Sequence, residues 1–151
     1  MKIRKARFTD IEAIHKIVNG YAEEGQMLAR ARNVLYETLR DMTVAEIDGK
    51  IVGVGALHLT WDELAEVRTL AVDKAYSRRH IGTRIVKQLL EEAKELGVKT
   101  AFTLTYRADF FSTLGFVETS KESLHHKVWK DCINCPKFPN CDETAMTMKV
   151  E

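Results

Sequence analysis

A basic segment, Ser77-Arg78-Arg79-His80, stands directly before a stretch with helical periodicity. The first turn of a helix offers backbone N–H groups without a partner and the positive end of the helix dipole, so it binds phosphate groups readily. The guanidinium and imidazole groups add donors and positive charge, and Gly82 allows a ligand to approach the backbone closely. The segment therefore predicts a phosphate-binding loop, with a solvated basic turn as the alternative.

The three cysteines of the chain lie close together, at Cys132, Cys135 and Cys141. With His125 or His126 they could form a tetrahedral zinc site, because thiolate and imidazole are the ligands that zinc prefers. The first pair has metal-ligand spacing, but the third cysteine does not follow a standard finger pattern. We favour a structured loop with small buried thiols, and the sequence leaves a structural zinc open.

Hydrophobic periodicity predicts the elements that position these groups. Period-2 patterns predict strands over residues 2–6, 43–47, 50–59, 64–72, 98–105 and 145–150, with a further strand from 115. Period-3.6 patterns predict helices over residues 11–24, 31–42, 81–96 and 107–114. Several antiparallel hairpins with one strand–loop–helix unit predict an α+β (mixed α/β) fold, in which helices flank a mixed, largely antiparallel sheet.

Two local signals refine these boundaries. Thr9 and Glu12 have the spacing of a capping box at the start of the first helix. Asp48-Gly49 between two strands predicts a two-residue hairpin turn.

Size and charge narrow the class of protein. A chain of 151 residues fits a single domain over 1–151, with the cysteine-containing loop at about 125–143 before the last strand. The near balance of 23 basic and 22 acidic residues argues against nucleic acid as a partner. No apolar run approaches the roughly 20 residues of a membrane span and no secretory leader is apparent, so we expect a cytoplasmic protein without a membrane partner. Whether two copies form a homodimer is left open.

Three segments carry a resemblance to a known family. Leu70 to Tyr76, Ile81 to Val86, and Arg107 to Phe116 resemble the core of the GNAT acetyltransferases. The cofactor motif of that family, Q/R-x-x-G-x-G/A, falls on Ser77 to Gly82. The last glycine is kept as Gly82, whereas Ser77 and His80 replace the first Gln/Arg and the first glycine. The resemblance implies a GNAT fold and an acetyl-CoA-dependent N-acetyltransferase.

The resemblance also implies which residues hold acetyl-CoA. The pyrophosphate would be bound at the loop and helix start by Ser77, Arg78, Arg79, His80, Ile81, Gly82 and Thr83. This binding requires His80 to adopt the loop geometry of the glycine that it replaces. The end of the preceding strand would pair with the pantetheine arm and polarise the thioester carbonyl, through the backbone of Leu70, Ala71 and Val72.

Glu66 stands where several GNAT enzymes have their general base. An ammonium group has no lone pair, so a base must take its proton before the nitrogen can attack. Glu63 is the second choice for this role. A structural alternative for Glu66 is an ion pair with Arg68 or Arg7.

The general acid is less clear from the sequence. Many family members use a tyrosine to protonate the leaving thiolate, and Phe111 occupies that position here. Tyr106 or a water molecule could serve instead.

A narrower resemblance concerns the acceptor. Residues 28–32, Glu66 to Val72, Leu104-Thr105-Tyr106-Arg107 and residues 126–132 resemble the acetyltransferase domain of bacterial N-acetylglutamate synthases. It implies L-glutamate as the amine substrate, a small molecule, and a place in arginine biosynthesis. Arg30 would hold a carboxylate, Thr69 would line the pocket, and Arg107 is a weaker candidate.

One departure from that pattern keeps other acceptors open. The synthases carry a further arginine near the final strand, whereas residues 141–144 contain none. Lys127 or Lys130 could replace it, or the substrate could differ. The alternatives are an acetyltransferase of a peptide N-terminus, lysine or polyamine, and a non-catalytic module that binds acetyl-CoA or a metal.

Overall fold

The computed structural model describes residues 1–24, 30–120 and 143–150. No helix within these ranges is long and apolar enough to cross a membrane. The strands are β1 (Lys2–Lys5), β2 (Met42–Ile47), β3 (Lys50–Trp61), β4 (Leu64–Val72), β5 (Thr100–Thr105), β6 (Val117–Thr119) and β7 (Thr144–Lys149). The helices are α1 (Ile11–Glu23), α2 (Arg32–Glu37), α3 (Ile81–Leu96) and α4 (Ala108–Thr113). Short 3₁₀ turns occupy Phe8–Asp10, Leu39–Asp41 and Lys74–Tyr76.

In the described part of the chain, seven strands form one sheet in the order β1-β2-β3-β4-β5-β7-β6. The pairs β1/β2, β2/β3, β5/β7 and β6/β7 are antiparallel, and β4/β5 is parallel. The predicted mixed, largely antiparallel sheet flanked by helices is therefore confirmed. The predicted hairpin turn is also confirmed, since Asp48 and Gly49 have the left-handed φ values of 50° and 77° that a type I′ turn requires.

Residue contacts divide the chain into two compact units. The first comprises Met1–His58 and Val67–Glu92, and the second comprises Leu59–Glu66 and Ala93–Glu151. The single domain over 1–151 stays a prediction.

In the first unit, α1 and α2 cover one face of β2 and β3. The helical periodicity of α1 places its apolar side chains on a single stripe, and that stripe packs against alternate residues of the strands. The buried cluster consists of Ile11, Ile14, Val18, Leu35, Met42, Val44, Ile51, Val54, Ala56 and Ala71.

A β-bulge at Val52 explains how this face is built. The register between β2 and β3 steps from Ala45↔Gly53 to Glu46↔Ile51 and so passes over Val52. The extra residue changes which side chains of β3 face α1, so that Ile51 joins Val54 in the cluster. The carbonyl of Val52 accepts a hydrogen bond from the N–H of Asp73 at 2.8 Å. The bulge thus holds the chain that leaves β4 for the predicted phosphate-binding loop.

Helix α3 packs on the opposite face of β3, over two glycines. A Cβ atom at Gly55 would lie 2.6 Å from Ile85 Cγ2 and 3.2 Å from Leu89 Cδ1. A Cβ atom at Gly53 would lie 3.0 Å from Ile85 Cδ1. A side chain at Gly55 would therefore clash with the helix, whereas one at Gly53 would require its neighbours to shift by a few tenths of an ångström. This contact fixes the N-terminal half of α3.

The predicted capping box is wrong, since Asp10 rather than Thr9 organises the start of α1. Arg4 donates to both carboxylate oxygens of Asp10, at 2.8 and 3.1 Å, and the N–H of Arg7 donates to the same carboxylate at 2.8 Å. Burial raises the pKa of the Asp10 carboxyl, but the hydrogen bonds from Arg4 and Arg7 lower it by more, so that its pKa lies below the usual value. Arg4 also binds Glu46 at 2.8 Å, and the three side chains tie β1, β2 and α1 together.

The second predicted helix is shorter than residues 31–42. Helix α2 ends at Glu37, where the Thr38 hydroxyl donates to the carbonyl of Val34 at 2.7 Å. Met42 already begins β2 and is buried in the core. The apolar pattern predicted too long a helix because it included Met42, which is buried as a strand residue.

The second unit contains β5, β6, β7 and α4. Gly97, with φ 83°, ends α3 as the sequence predicted. Phe111 of α4 is buried and stacks edge-to-face on Phe116, with ring centroids 5.2 Å apart. This aromatic contact anchors α4 to the start of β6.

The close approach of α3 leads to the first prediction. Gly55→Ala should lower the free energy of unfolding by about 1–3 kcal/mol, since Cγ2 of Ile85 stands next to its own backbone and has little freedom to move. Thermal or urea denaturation measures the change.

Gly20→Ala is the matched control, because a Cβ atom at this helical glycine meets no atom within 4 Å. It should stabilise the protein by roughly 0.5–1 kcal/mol through helix propensity. Equal effects of the two substitutions would contradict the packing argument.

Candidate active site

The predicted phosphate-binding loop leaves β4 through a 3₁₀ turn. The Asp73 carboxylate accepts the N–H of Ala75 at 3.0 Å, and the carbonyl of Asp73 accepts the N–H of Tyr76 at 2.8 Å. After this turn the side chains from Ser77 to His80 are all exposed. Helix α3 then begins at Ile81, and the carbonyl of His80 accepts its first helical bond, from Arg84 N–H at 3.1 Å. By helix geometry, the N–H groups of Ile81, Gly82 and Thr83 have no carbonyl four residues back within the helix.

Two residues of the loop have left-handed backbones. Arg78 has φ 65° and His80 has φ 59°. His80 therefore adopts the conformation that glycine would take at its position without steric cost. The left-handed backbone that glycine adopts readily is thus present at this position despite the substitution. Left-handed residues in such turns direct successive N–H groups into a common concavity that suits anions.

Strand β4 contains a backbone irregularity at Thr69, which has φ 58°. Positive φ is rare for any residue other than glycine and is a true outlier for a β-branched one. Leu70 then lies near Gly55, on the side of α3, while Ala71 joins the cluster beneath α1. The sequence gives no sign of this strain, because threonine is an ordinary strand residue.

The strand end assigned to the pantetheine arm is partly engaged already. The hydroxyl of Tyr21 donates to the carbonyl of Val72 at 2.6 Å. One acceptor position of the Val72 carbonyl is therefore occupied within the fold. The sequence gives no sign of this bond, because Tyr21 and Val72 are 51 residues apart in the chain.

The backbone of Arg30 is held by a side chain of α1. Asn19 accepts the N–H of Arg30 through Oδ1 at 3.1 Å, and its Nδ2 group donates to the carbonyl of Arg30 at 3.1 Å. This reciprocal pair fixes the entry to α2, where the resemblance places the carboxylate-binding arginine. Asn19 was not identified from the sequence, since an amide on a helix is more often simply exposed.

Arg32, two residues further on, is engaged elsewhere. It donates to the two carboxylate oxygens of Glu12 at 2.8 and 3.1 Å. These hydrogen bonds raise the pKa of the Arg32 guanidinium and lower that of the Glu12 carboxyl. Both side chains are exposed.

The second unit carries the remaining predicted residues. Glu66 is half-buried in β4 and stands in register with Phe102 of β5, the last of the pairs Leu64↔Thr100, Ala65↔Ala101 and Glu66↔Phe102. Its neighbours Ala65 and Val67 are buried, so alternation directs Glu66 to the other face of the strand.

The end of β5 leads to Tyr106 and Arg107. Tyr106 is half-buried and Arg107 is exposed. The N–H of Arg107 donates to the hydroxyl of Thr105 at 2.8 Å, which turns the chain into α4. Phe111, buried against Phe116, has no polar hydrogen to donate.

The cysteine hypothesis falls outside the described residues, together with His125, His126, Lys127 and Lys130. Among the residues that are described, no group of three or more His, Cys, Asp or Glu side chains is placed to hold a metal ion.

A separate cleft of about 430 Å³ lies in the first unit, below α1. It is lined by residues of α1, by Lys50 and Ile51 at the start of β3, and by Asp73 and Lys74. None of its lining residues belongs to the predicted site.

Comparison with known proteins gives these features their context. The model of the acetyltransferase (GNAT) family matches residues 11–116. A relative from Mycobacterium tuberculosis, an amino-acid acetyltransferase, is 42% identical over 120 residues, which cover 77% of this chain and 68% of that protein. An uncharacterized N-acetyltransferase of Chlorobaculum tepidum is 40% identical over 144 residues, 95% of this chain and 93% of the relative.

Two solved structures are similar over almost the whole chain. A Mycobacterium tuberculosis protein in complex with CoA and NLQ superposes with a TM-score of 0.88 at 32% identity, and the match covers 100% of both chains. N-acetylglutamate synthase from Neisseria gonorrhoeae, complexed with coenzyme A and N-acetyl-glutamate, gives a TM-score of 0.91 at 23% identity. That match covers 99% of this chain and 35% of the synthase, and it bears on the fold alone.

The family match extends over the predicted loop, β4 and α4, and the relatives share the order of elements that positions them. The chain belongs to the acetyltransferase (GNAT) family and is an N-acetyltransferase with acetyl-CoA as its co-substrate.

Proposed function

We propose that this protein acetylates the α-amine of L-glutamate, by direct transfer from acetyl-CoA in a ternary complex, as a step of arginine biosynthesis. The observation that carries the choice of acceptor is the 42% identity with an amino-acid acetyltransferase over 120 residues. The two hydrogen bonds between Asn19 and the backbone of Arg30 support it, because a fixed backbone restricts where the guanidinium of Arg30 can meet a carboxylate substrate.

Acetyl-CoA would be bound by the loop and by the end of β4. The N–H groups at the start of α3 would bind the pyrophosphate, and the side chains from Ser77 to His80 would add donors for the phosphate groups of the cofactor. The left-handed geometry of His80 supports this assignment, since it gives this position a backbone conformation that glycine adopts readily. The N–H groups from Leu70 to Val72 would orient the thioester, whose carbonyl carbon is the electrophile of the reaction.

Glu66 would accept the proton of the substrate ammonium, directly or through a water molecule. The neutral amine then attacks the thioester, an amide bond forms, and the sulfur leaves as a thiolate that takes up a proton. Phe111 cannot supply that proton. Tyr106 is the side chain proposed for this step, with water as the alternative donor.

Arg30 would bind one carboxylate of the acceptor, Thr69 would line its pocket, and Arg107 is a further candidate for the second carboxylate. The strained backbone of Thr69 fits such a role, because left-handed conformations of non-glycine residues cluster where a strand must present groups to a ligand. The location of the enzyme would be the cytoplasm, where acetyl-CoA and glutamate are both present.

A screen of acceptors tests the proposed reaction. Purified protein is incubated with acetyl-CoA and, in turn, L-glutamate, L-glutamine, L-aspartate, a lysine peptide and spermidine, and release of free thiol is followed against a sample without amine. L-glutamate should react fastest. Faster thiol release with the lysine peptide or spermidine would show that L-glutamate is not the preferred acceptor. No thiol release with any of the amines would favour a non-catalytic module.

The role of Glu66 is tested by Glu66→Gln, which keeps the shape of the side chain and removes its basicity. The rate at neutral pH should fall by about 10²–10⁴-fold. The deficit should shrink as the pH approaches the pKa of the substrate amine, since the amine then needs no base. Glu63→Gln is the matched comparison three residues earlier, and a loss confined to that variant would transfer the role to Glu63.

The role of the left-handed loop is tested at His80. His80→Gly should bind acetyl-CoA at least as tightly as the native chain, because glycine adopts φ near 59° without steric cost. His80→Val should weaken binding by about 5- to 100-fold, because a β-branched residue resists this conformation. Titration calorimetry measures both, with thermal melts to confirm folding, and equal affinities for the two variants would overturn the geometric argument.

A further inference from the structure

Two cations lie against one aromatic ring beside the loop. The guanidinium carbon of Arg79 lies 5.1 Å from the ring centroid of Tyr76, and Lys50 Nζ lies 5.4 Å from the same centroid. Both distances fall within the range of cation–π attraction. The ring is half-buried, while the two cationic side chains are exposed. Tyr76 is therefore placed as a platform for positive charge at the entrance to the loop.

The platform is fixed to the sheet through Asp73. The N–H of Asp73 donates to the bulge carbonyl of Val52 at 2.8 Å, and its own carbonyl accepts the N–H of Tyr76 at 2.8 Å. Its carboxylate caps the turn through Ala75 and also faces Lys50, with 3.7 Å between Oδ2 and Nζ. The Tyr76 backbone is thus tied to β3 through a short chain of hydrogen bonds, and Lys50 offsets the nearest negative charge.

The positive charge of Arg79 is not neutralised by a neighbouring carboxylate among the described residues. In the part of the chain that the structure describes, no carboxylate forms a salt bridge with its guanidinium. The contact with the Tyr76 ring restrains the Arg79 side chain, and guanidinium N–H groups that point away from the ring could bind a phosphate.

We propose that Arg79 holds the 3′-phosphate of the ribose of acetyl-CoA, and that Tyr76 is its positioning residue. This inference rests on the proposed mode of cofactor binding. Coenzyme A carries two phosphate groups of different kinds, a diphosphate and a terminal monoester. The diphosphate suits the concave row of N–H groups at the start of α3. The monoester, a compact dianion with three terminal oxygens, suits the planar fork of an arginine held outside that row.

The test compares affinities for coenzyme A and 3′-dephospho-coenzyme A by titration calorimetry. The native chain should bind coenzyme A about 10- to 100-fold more tightly, as expected for one charge-assisted pair of hydrogen bonds. Arg79→Gln should reduce this ratio to nearly 1 and leave the affinity for the dephospho form almost unchanged. Adenosine 3′,5′-bisphosphate should compete with coenzyme A on the native chain and much less on Arg79→Gln.

Arg78→Gln is the matched control, since it removes the same charge from the adjacent residue. It should weaken the binding of coenzyme A and of 3′-dephospho-coenzyme A by a similar factor, so that the ratio of the two affinities is preserved. An unchanged ratio in Arg79→Gln, or a ratio lost in Arg78→Gln or Lys50→Gln instead, would overturn the assignment. Absence of any binding of either form by the native chain would remove the proposed cofactor mode itself, which is a distinguishable failure.

The role of Tyr76 is tested by a pair of substitutions. Tyr76→Phe keeps the ring and should retain most of the preference for coenzyme A. Tyr76→Leu keeps the bulk but not the π face and should lose most of the preference, while the dephospho form still binds. A Tyr76→Leu protein with the native ratio would show that the ring does not position Arg79.

Discussion

The contact between α3 and the backbone of β3 is the constraint on which the rest of the first unit depends. Two glycines, Gly53 and Gly55, allow Ile81, Ile85 and Leu89 of α3 to lie directly on the strand. Because α3 is rigid and Ile81 is its first residue, this packing also fixes where its unpaired N–H groups stand. The position of a phosphate-binding site at the start of a helix depends on how firmly that helix is packed. The small residues in the middle of β3 are thus a requirement of the loop that follows β4.

Irregular backbone is concentrated in the segment that the chemistry needs. Thr69, Arg78 and His80 all have positive φ values, and the bulge at Val52 holds the chain between the first of them and the other two. Such conformations cost free energy and persist where the surrounding packing determines them. Here the surroundings are closely packed, since β3 is buried from Ile51 to Leu57 and α3 lies directly against its backbone at Gly53 and Gly55. The scaffold stabilises a local geometry that these side chains would not adopt alone.

Elements that depend on periodicity and turn chemistry could be predicted from the sequence. Elements whose geometry is set by a side chain from a distant part of the chain could not. The helix α3, the turn at Asp48-Gly49 and the strands of the hairpins follow from local pattern. The start of α1 does not, because Arg4 of β1 binds the carboxylate of Asp10, and Asp10 rather than Thr9 then precedes the helix. The bonds from Asn19 to Arg30 and from Tyr21 to Val72 join residues far apart in the chain. No single-sequence pattern encodes such pairs, so the part of the site that depends on them could not be predicted.

A formal net charge of +1 conceals how the charges of this chain are distributed. Several cations in the first unit are matched to carboxylates within the fold: Arg4 to Asp10 and Glu46, Arg32 to Glu12, Lys5 to Glu92, and Lys74 to Glu24. Among the described residues, Arg78 and Arg79 take no part in such pairs. Their charges therefore add to the field of the α3 dipole instead of cancelling against a neighbour. The net charge therefore gives no sign of the two neighbouring arginines before α3 that have no carboxylate partner among the described residues.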